Sequence, residues 1–174
     1  DVSGVILAVD VTRREVLAAV PSGSFGTHWL TVLNSKRKLY ATNKIYDFVA
    51  VVDTAARTLA KKIPFPQGSE GLALSPDGTR LYVMAQRPQQ FHVIDTTTDE
   101  VVEIVPLSVF APTPEGRNPQ KRVQVSPDGS HLLITSFDTG EIAIASLADP
   151  HHQTRLTVEK GPMGITFANA ATAY

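Results

Sequence analysis

The stretch from Leu74 to Ala85, LSPDGTRLYVMA, joins a tight turn to a strand-forming run and recurs along the chain. Its Ser-Pro-Asp-Gly tetrapeptide strongly favours a turn, because proline presets the φ angle, the aspartate side chain hydrogen-bonds to the nearby backbone and glycine tolerates positive φ. The Leu-Tyr-Val-Met run after it is rich in residues that favour strands. The stretch therefore predicts a turn that leads directly into a β-strand.

Two motifs recur with the same spacing. The first motif is also found as LNSKRKLYATN at 33–43 and as VSPDGSHLLITS at 125–136, and its central leucines are 42 and 51 residues apart. The second motif occurs as VDVTRREV at 9–16, VDTAARTL at 52–59 and IDTTTDEV at 94–101, with its aspartates 43 and 42 residues apart. The chain is therefore built on a period of about 42 residues, with one insertion of about nine.

Each repeat contains four short strand-forming segments, and no window shows a sustained helical period. Four strands in about 42 residues match one blade of a β-propeller. We expect an all-β propeller, or a propeller fragment, over 1–174. Its four blade repeats are three complete blades at 27–63, 70–105 and 121–158, and one blade split between 163–174 and 2–20.

The repeats resemble those of the YVTN family of β-propellers. The family's signature combines a Ser-Pro-Asp-Gly turn, a Leu-Tyr-Val strand and an Ile-Asp-Thr strand end, found here at 75–78, 81–83 and 94–96. The resemblance covers nearly the whole chain. It implies a relation to seven- or eight-bladed lactonase-like and surface-layer-like propellers, and it extends to the propeller portions of amine- or nitrite-converting redox enzymes. Because the recurring residues are structural, the resemblance is specific for fold and says little about function.

The split blade leaves two interpretations open. In the first, the chain is a fragment of a longer propeller, which a break inside a strand favours. In the second, the chain closes on itself or pairs with a second copy into an eight-bladed ring. We therefore expect either a homodimer or an association with missing blades.

The composition narrows the classes of function. The chain has 174 residues and a formal net charge of -1. Its net charge therefore creates no positive electrostatic field that would attract nucleic acid or an anionic membrane. The absence of cysteine excludes disulfides, thiol nucleophiles and cysteine-based zinc sites. No apolar run approaches the roughly 18 residues of a membrane span. No cofactor and no metal site are predicted, and the resemblance implies a periplasmic or secreted protein, with the cytoplasm left open.

The position that opens each innermost strand is the strongest candidate for a site. In propellers these strands begin at the upper end of the central channel, where ligands generally bind. The aligned residues at this position are His28, Glu70, Lys121 and Met163. A histidine, a carboxylate and an ammonium that converge in a concave site would bind a polar ligand or serve acid–base chemistry. The alternative is that they are solvated residues at a wet channel entrance.

Two neighbouring residues add to this site. Trp29 and Arg122 stand where the other repeats have Gly71 and Gly164, so they would narrow the entrance. The Trp29 ring is also suited to stack on a ligand. The loops between the second and third strands add further hydrophilic residues at the same end, namely Asn43, Lys44, Tyr46, Asp47, Gln86, Arg87 and Asp138.

The insertion at 106–119 is predicted to be a long loop on the same upper face. Four prolines stiffen it, while Phe110 and Arg117 give it one apolar and one cationic contact group. Long loops on a rigid scaffold often carry function. The alternative is a variable loop that binds nothing.

The leading hypothesis is a non-catalytic scaffold that binds a small polar ligand or a protein at its upper face. No Gly-rich phosphate loop, G-x-S-x-G elbow or H-E-x-x-H motif occurs. The resemblance keeps an enzyme open as the alternative. A lactonase-like hydrolase would use Glu70 or His28 as metal ligand or base, and an amine- or nitrite-dehydrogenase-like redox protein would need a cofactor or a partner subunit.

Overall fold

The described part of the chain consists almost entirely of β-strands. A computed structural model describes residues 4–112, 120–159, 161–169 and 172–173, and these form two compact units, 1–69 and 70–174. Helical structure within these ranges is limited to one 3₁₀ turn, Asn34–Lys36. The described residues include no helix that is long and apolar enough to cross a membrane.

The first unit contains a two-stranded and a four-stranded antiparallel sheet. The two-stranded sheet pairs β1 (Val5–Asp10) with β2 (Glu15–Pro21). The four-stranded sheet has its strands in chain order: β3 (Thr27–Leu33), β4 (Lys38–Asn43), β5 (Phe48–Asp53) and β6 (Thr58–Pro64). The two sheets share an apolar core that contains Ile6, Val20, Leu39, Ala41, Phe48, Ala50 and Val52.

The second unit contains two four-stranded sheets and one short two-stranded sheet, again with the strands in chain order. The first sheet consists of β7 (Ser69–Leu74), β8 (Arg80–Ala85), β9 (Gln90–Asp95) and β10 (Glu100–Pro106). The second consists of β11 (Lys121–Val125), β12 (His131–Ser136), β13 (Glu141–Ser146) and β14 (Gln153–Thr157). The last pairs β15 (Phe167–Asn169) with β16 (Thr172–Ala173).

These sheets confirm the predicted all-β fold of four-stranded propeller blades. In the segment 163–174, which is predicted to begin the split blade, β15 begins at Phe167. Among the described residues, β16 pairs with Phe167 and Asn169 of β15. That the terminal segments form one blade stays a prediction.

The second strand of each four-stranded sheet is buried on both faces. In β4, β8 and β12 every residue after the first is buried, without the alternation of a half-exposed strand. The outermost strands β6 and β10 instead alternate between exposed and covered residues. Apolar runs such as the Leu-Tyr-Val-Met of β8 therefore mark strands that need a packing partner on each side.

The second sequence motif forms the turn that follows the third strand of a blade. Its aspartates, Asp53 and Asp95, each accept two backbone N–H bonds through Oδ1 from the residues two and three positions later. Asp10 does the same on β1. These backbone donors lower the pKa of Asp53 and of Asp95. The spacing of the motif thus comes from the geometry of an aspartate-capped turn.

The Ser-Pro-Asp-Gly turns are held by the side chain of their aspartate. The Ser75 hydroxyl donates to Asp77 Oδ1 at 2.6 Å, and the Thr79 N–H donates to the same atom at 3.0 Å. Ser126 and Ser130 bond Asp128 in the same way. The serine hydroxyl, followed by the backbone N–H, lowers the pKa of Asp77 and of Asp128 to about 2. Both aspartates therefore act as charged acceptors that close their turns.

We expect these turns to make the fold sensitive to acid. The folded-state pKa of each aspartate is below its ordinary value of 3.8, so the stabilisation is present above pH 3.8 and is lost as the pH falls toward 2. In the double variant Asp77→Asn and Asp128→Asn, the free energy of unfolding should fall less steeply between pH 4 and 2.5 than in the parent protein. Urea denaturation across this range measures it. Asp149→Asn is the control, and an unchanged acid slope in the double variant would contradict the assignment.

Candidate functional site

Two of the residues predicted to open an innermost strand are deeply buried charges in the second unit. Glu70 follows Ser69 at the start of β7 and is 0% exposed, while Lys121 is the first residue of β11 and is 1% exposed. Lys121 lies opposite Ser136 in the pairing of β11 with β12. Glu70 and Lys121 are therefore not solvated residues, and their charges must be balanced inside the protein.

An ion pair joins the two innermost strands. Arg122 Nη1 lies 2.8 Å from Glu70 Oε1, and the same nitrogen donates to the Lys121 carbonyl oxygen at 3.3 Å. The arginine side chain is mostly covered, so this charge-assisted bond is weakly screened by solvent. Arg122 thus fixes the position of the Glu70 carboxylate beside the start of β11.

Gly71 allows the close approach of β7 and β11. A Cβ atom built on Gly71 would lie 2.8 Å from the Lys121 carbonyl oxygen and 3.3 Å from Arg122 Cα. Backbone atoms cannot move aside as a flexible side chain can, so any larger residue would push the strands apart. The small residue after Glu70 is therefore a condition for the Glu70–Arg122 pair.

Gly71→Ala should lower the free energy of unfolding by about 1–3 kcal/mol, the usual cost of overpacking a close contact. Gly164 is the matched control, because it occupies the equivalent repeat position and nothing described lies within 4 Å of a Cβ built there. Gly164→Ala should change stability by less than about 0.5 kcal/mol. Urea denaturation of the two variants measures the difference, and equal effects would show that the close approach is unimportant.

The Lys121 ammonium has no hydrogen-bond partner among the described residues. Burial lowers the pKa of Lys121 to about 8, and the carboxylates of Glu70 and Asp138 partly oppose this effect. Asp138 lies in the turn between β12 and β13, and its Oδ2 is buried and likewise has no described hydrogen-bond partner. We call Glu70, Lys121, Arg122 and Asp138 the buried charged cluster.

The buried charged cluster should make stability rise with pH above neutrality. The folded-state pKa of Lys121, about 8, is below its ordinary value of 10.5, so between these values the unfolded chain holds more protons. The free energy of unfolding then rises with pH by at most about 1.4 kcal/mol per pH unit from this group. Lys121→Met should remove the rise, measured by urea denaturation from pH 7 to 10. A variant that keeps the same slope as the parent would refute this prediction.

The cluster combines charged hydrogen-bond donors with charged acceptors. It brings together two carboxylates, one guanidinium and one ammonium, so its formal charges balance. Lys121 Nζ is a hydrogen-bond donor and Asp138 Oδ2 is an acceptor. Neither atom has a hydrogen-bond partner among the described residues. An amine with a pKa of about 8 is also close enough to neutrality to exchange a proton in a reaction.

His28 and Trp29 lie in the first unit, on β3, and both are exposed. Their rings meet edge to face, with centroids 5.5 Å apart. Met163 is exposed as well and precedes β15. A ligand-binding role for His28 and Trp29 stays a prediction.

The described part of the insertion is anchored to the second unit. Phe110 is 6% exposed and belongs to the same apolar core as Leu107, Val123 and Leu132. The Ala111 N–H donates to Glu141 Oε2 at 3.1 Å. This placement supports a structural role for the Phe110 ring, whereas Arg117 lies outside the described residues. The predicted contacts of Phe110 and Arg117 with a ligand stay predictions.

Sequence reasoning gave little weight to two members of this region. Asp138 was one of several polar residues in loops between the second and third strands, and the repeat gave it no special status. Glu141 was not considered, yet it is buried, accepts a hydrogen bond from the Ala111 N–H of the insertion and pairs with Arg155 Nη1 at 2.9 Å. A charged residue that opens a strand with an otherwise apolar pattern, EIAIAS, is the signal that would have found it. Within the described ranges, no three His, Asp or Glu side chains are grouped as metal ligands would be.

Comparisons with known proteins support the fold. No family model matches the chain. Antigen Lp49 of Leptospira interrogans serogroup Icterohaemorrhagiae serovar copenhageni, strain Fiocruz L1-130, is 30% identical over 125 residues, which are 64% of this chain and 25% of that protein. Hydrazine synthase of Kuenenia stuttgartiensis matches with a TM-score of 0.78 and 22% identity, over 94% of this chain and 46% of that chain.

The likeness to hydrazine synthase shows the propeller fold. The chain spans a quarter of the length of its curated relative and less than half of the solved chain. Both matches therefore concern a part of a larger protein.

Proposed function

We propose that this chain is a ligand-binding β-propeller scaffold and that the buried charged cluster is its binding site for a small polar ligand. The observation that carries the proposal is the Lys121 ammonium, which is 1% exposed and has no described hydrogen-bond partner. Buried polar groups in native proteins are nearly always hydrogen-bonded, and an ammonium has three donors to satisfy. A ligand that supplies acceptors to Nζ would meet this need.

Further support comes from the position of the cluster. Glu70 is the second residue of β7 and Lys121 the first residue of β11, and propellers generally bind ligands at the end of the channel where the innermost strands begin. We further propose that the repeats are of the YVTN type and that the protein is exported. Similarity to a protein named as an antigen is compatible with export.

An enzyme is the second candidate, and one observation favours it. Burial lowers the pKa of Lys121 to about 8, which suits a general base or acid near neutral pH. A lactonase-like hydrolase or a redox protein of the amine- or nitrite-dehydrogenase type would use the same buried charged cluster. Turnover of a simple lactone that Lys121→Met abolishes, in a variant that still folds, would favour the enzyme over the scaffold.

Association with further blades or with a second copy is a separate part of the proposal. Leu30 and Val32 of β3 are exposed, although they lie opposite the buried Ala41 and Leu39 of β4. Exposed apolar side chains on the face of a sheet often mark a surface that another segment covers. A homodimer and missing blades are both consistent with this exposure.

The ligand-binding proposal predicts where small molecules bind. When the ¹⁵N-labelled protein is titrated with a library of small polar compounds, the amide signals of 70–71, 121–122 and 138 should shift. Lys121→Met should weaken the binding of any such compound about tenfold or more, because a bond to a charged donor contributes about 1.5–3 kcal/mol.

Lys62→Met is the matched control, since Lys62 lies on the outer strand β6 of the first unit and is exposed. It should leave the affinity unchanged. Shifts confined to other regions, or shifts that persist in Lys121→Met, would rule out the cluster as the site.

A further inference from the structure

The turns at one end of each four-stranded sheet are in direct contact with each other. Because the antiparallel strands follow chain order, the turn after the first strand and the turn after the third strand lie at the same end of the sheet. A backbone hydrogen bond joins these two turns in all three sheets, from Thr54 to Arg37 at 2.9 Å, from Thr96 to Thr79 at 3.1 Å and from Leu147 to Ser130 at 2.9 Å. Each pair of turns therefore forms one surface with a fixed arrangement.

In the first unit this surface is rich in cations. The turn between β1 and β2 adjoins it, because Arg57 Nη1 donates to the Leu17 carbonyl oxygen of β2 at 3.1 Å. We call its six basic residues the basic turns: Arg13, Arg14, Lys36, Arg37, Lys38 and Arg57. The three carboxylates among them are Asp10, Glu15 and Asp53. Since these cations come from three separate turns, only the fold brings them to one surface.

Equivalent positions in the turns of the second unit carry the opposite charge. The turn after the first strand has Lys36 in the first unit, where the second unit has Asp77 and Asp128. The left-handed residue in the turn after the third strand is Arg57 in the first unit, with φ 58°, and Asp99 in the second, with φ 55°. We call the six carboxylates of the second unit's turns the acidic turns: Asp77, Asp95, Asp99, Glu100, Asp128 and Asp149.

Both surfaces present charge to solvent. Arg13, Arg14, Arg37 and Arg57 of the basic turns are exposed, as are Asp77, Glu100, Asp128 and Asp149 of the acidic turns. A single exposed ion pair contributes little to an association, but several charges on a rigid surface act as a network. Complementary surfaces of this kind steer encounter and fix the orientation of the partners. The net charge of -1 means that two copies do not repel each other overall.

We infer that the basic turns are a docking surface for the acidic turns of a second copy of this chain. The inference rests on the association with a second copy proposed above, to which it assigns a surface. The charge complementarity of the two sets of turns favours this occupant, because one chain carries both halves of the contact at equivalent positions of its repeats. The buried charged cluster and its ligand have no part in this contact.

The first experiment measures self-association as a function of salt. Sedimentation equilibrium of the whole chain over a concentration series at neutral pH gives the dissociation constant in about 0.01 M and about 1 M sodium chloride, where the Debye length is about 30 Å and about 3 Å. The dissociation constant should be at least about tenfold larger in the higher salt. Association through exposed apolar side chains would instead persist there.

The second experiment reverses the charges on one surface at a time. The double variant Arg14→Glu and Arg37→Glu makes the basic turns acidic, and the double variant Glu100→Arg and Asp149→Arg makes the acidic turns more basic. Each variant alone should self-associate at least about tenfold more weakly than the parent in low salt. An equimolar mixture of the two should recover the parent's affinity, because the reversed surfaces match each other.

Arg87→Glu is the control, because Arg87 is an exposed arginine in the loop between β8 and β9, at the other end of its sheet. This variant should leave the dissociation constant unchanged. Circular dichroism and thermal unfolding verify that each variant folds, and recovery in the mixture is a result that misfolded variants cannot give.

The outcomes separate this surface from the proposed association. If the parent associates but neither salt nor the charge reversals weaken it, the turn surface is wrong and association through another surface stands. Failure of the mixture to recover affinity would likewise show that the acidic turns are not the partner of the basic turns. A parent that stays monomeric in low salt at every concentration would overturn both this inference and the association with a second copy.

Discussion

A blade of this chain has apolar side chains on both faces of its sheet, and both faces have to be covered. The second strands β4, β8 and β12 show this directly, because nearly all of their residues are buried. In the second unit, Met84 of β8 and Ile134 of β12 belong to a single core with residues of both four-stranded sheets. Burial on both faces makes face-to-face packing of successive sheets the basis of the fold.

The same packing places charges where solvent cannot reach them. When two sheets approach closely, their innermost strands come together, and at Gly71 the separation is too small for a side chain. Glu70 and Lys121, at the starts of those strands, are then enclosed with Arg122. Isolated charges in this position would be costly, so their balance is part of what makes the close packing possible. The close packing that stabilises the fold therefore also encloses these charged side chains.

Local features of the fold were predictable because their causes are local. The Ser-Pro-Asp-Gly turns and the aspartate-capped turns are held by bonds between residues two or three positions apart, as at Asp77 and Asp53. The burial of Phe110 could not be predicted from the sequence, because it depends on residues such as Val123 and Leu132, which are distant in the chain.

The sequence by itself determined the repeat and the four-stranded blade. It did so because turn chemistry, strand propensity and period are properties of neighbouring residues. Only the tertiary structure decided that Glu70 and Lys121 are buried and that Asp138 acts on the same ammonium. Burial and electrostatic environment depend on which strands meet in space. Repeat positions that look equivalent in the sequence, such as exposed His28 and buried Lys121, therefore differ in the folded chain.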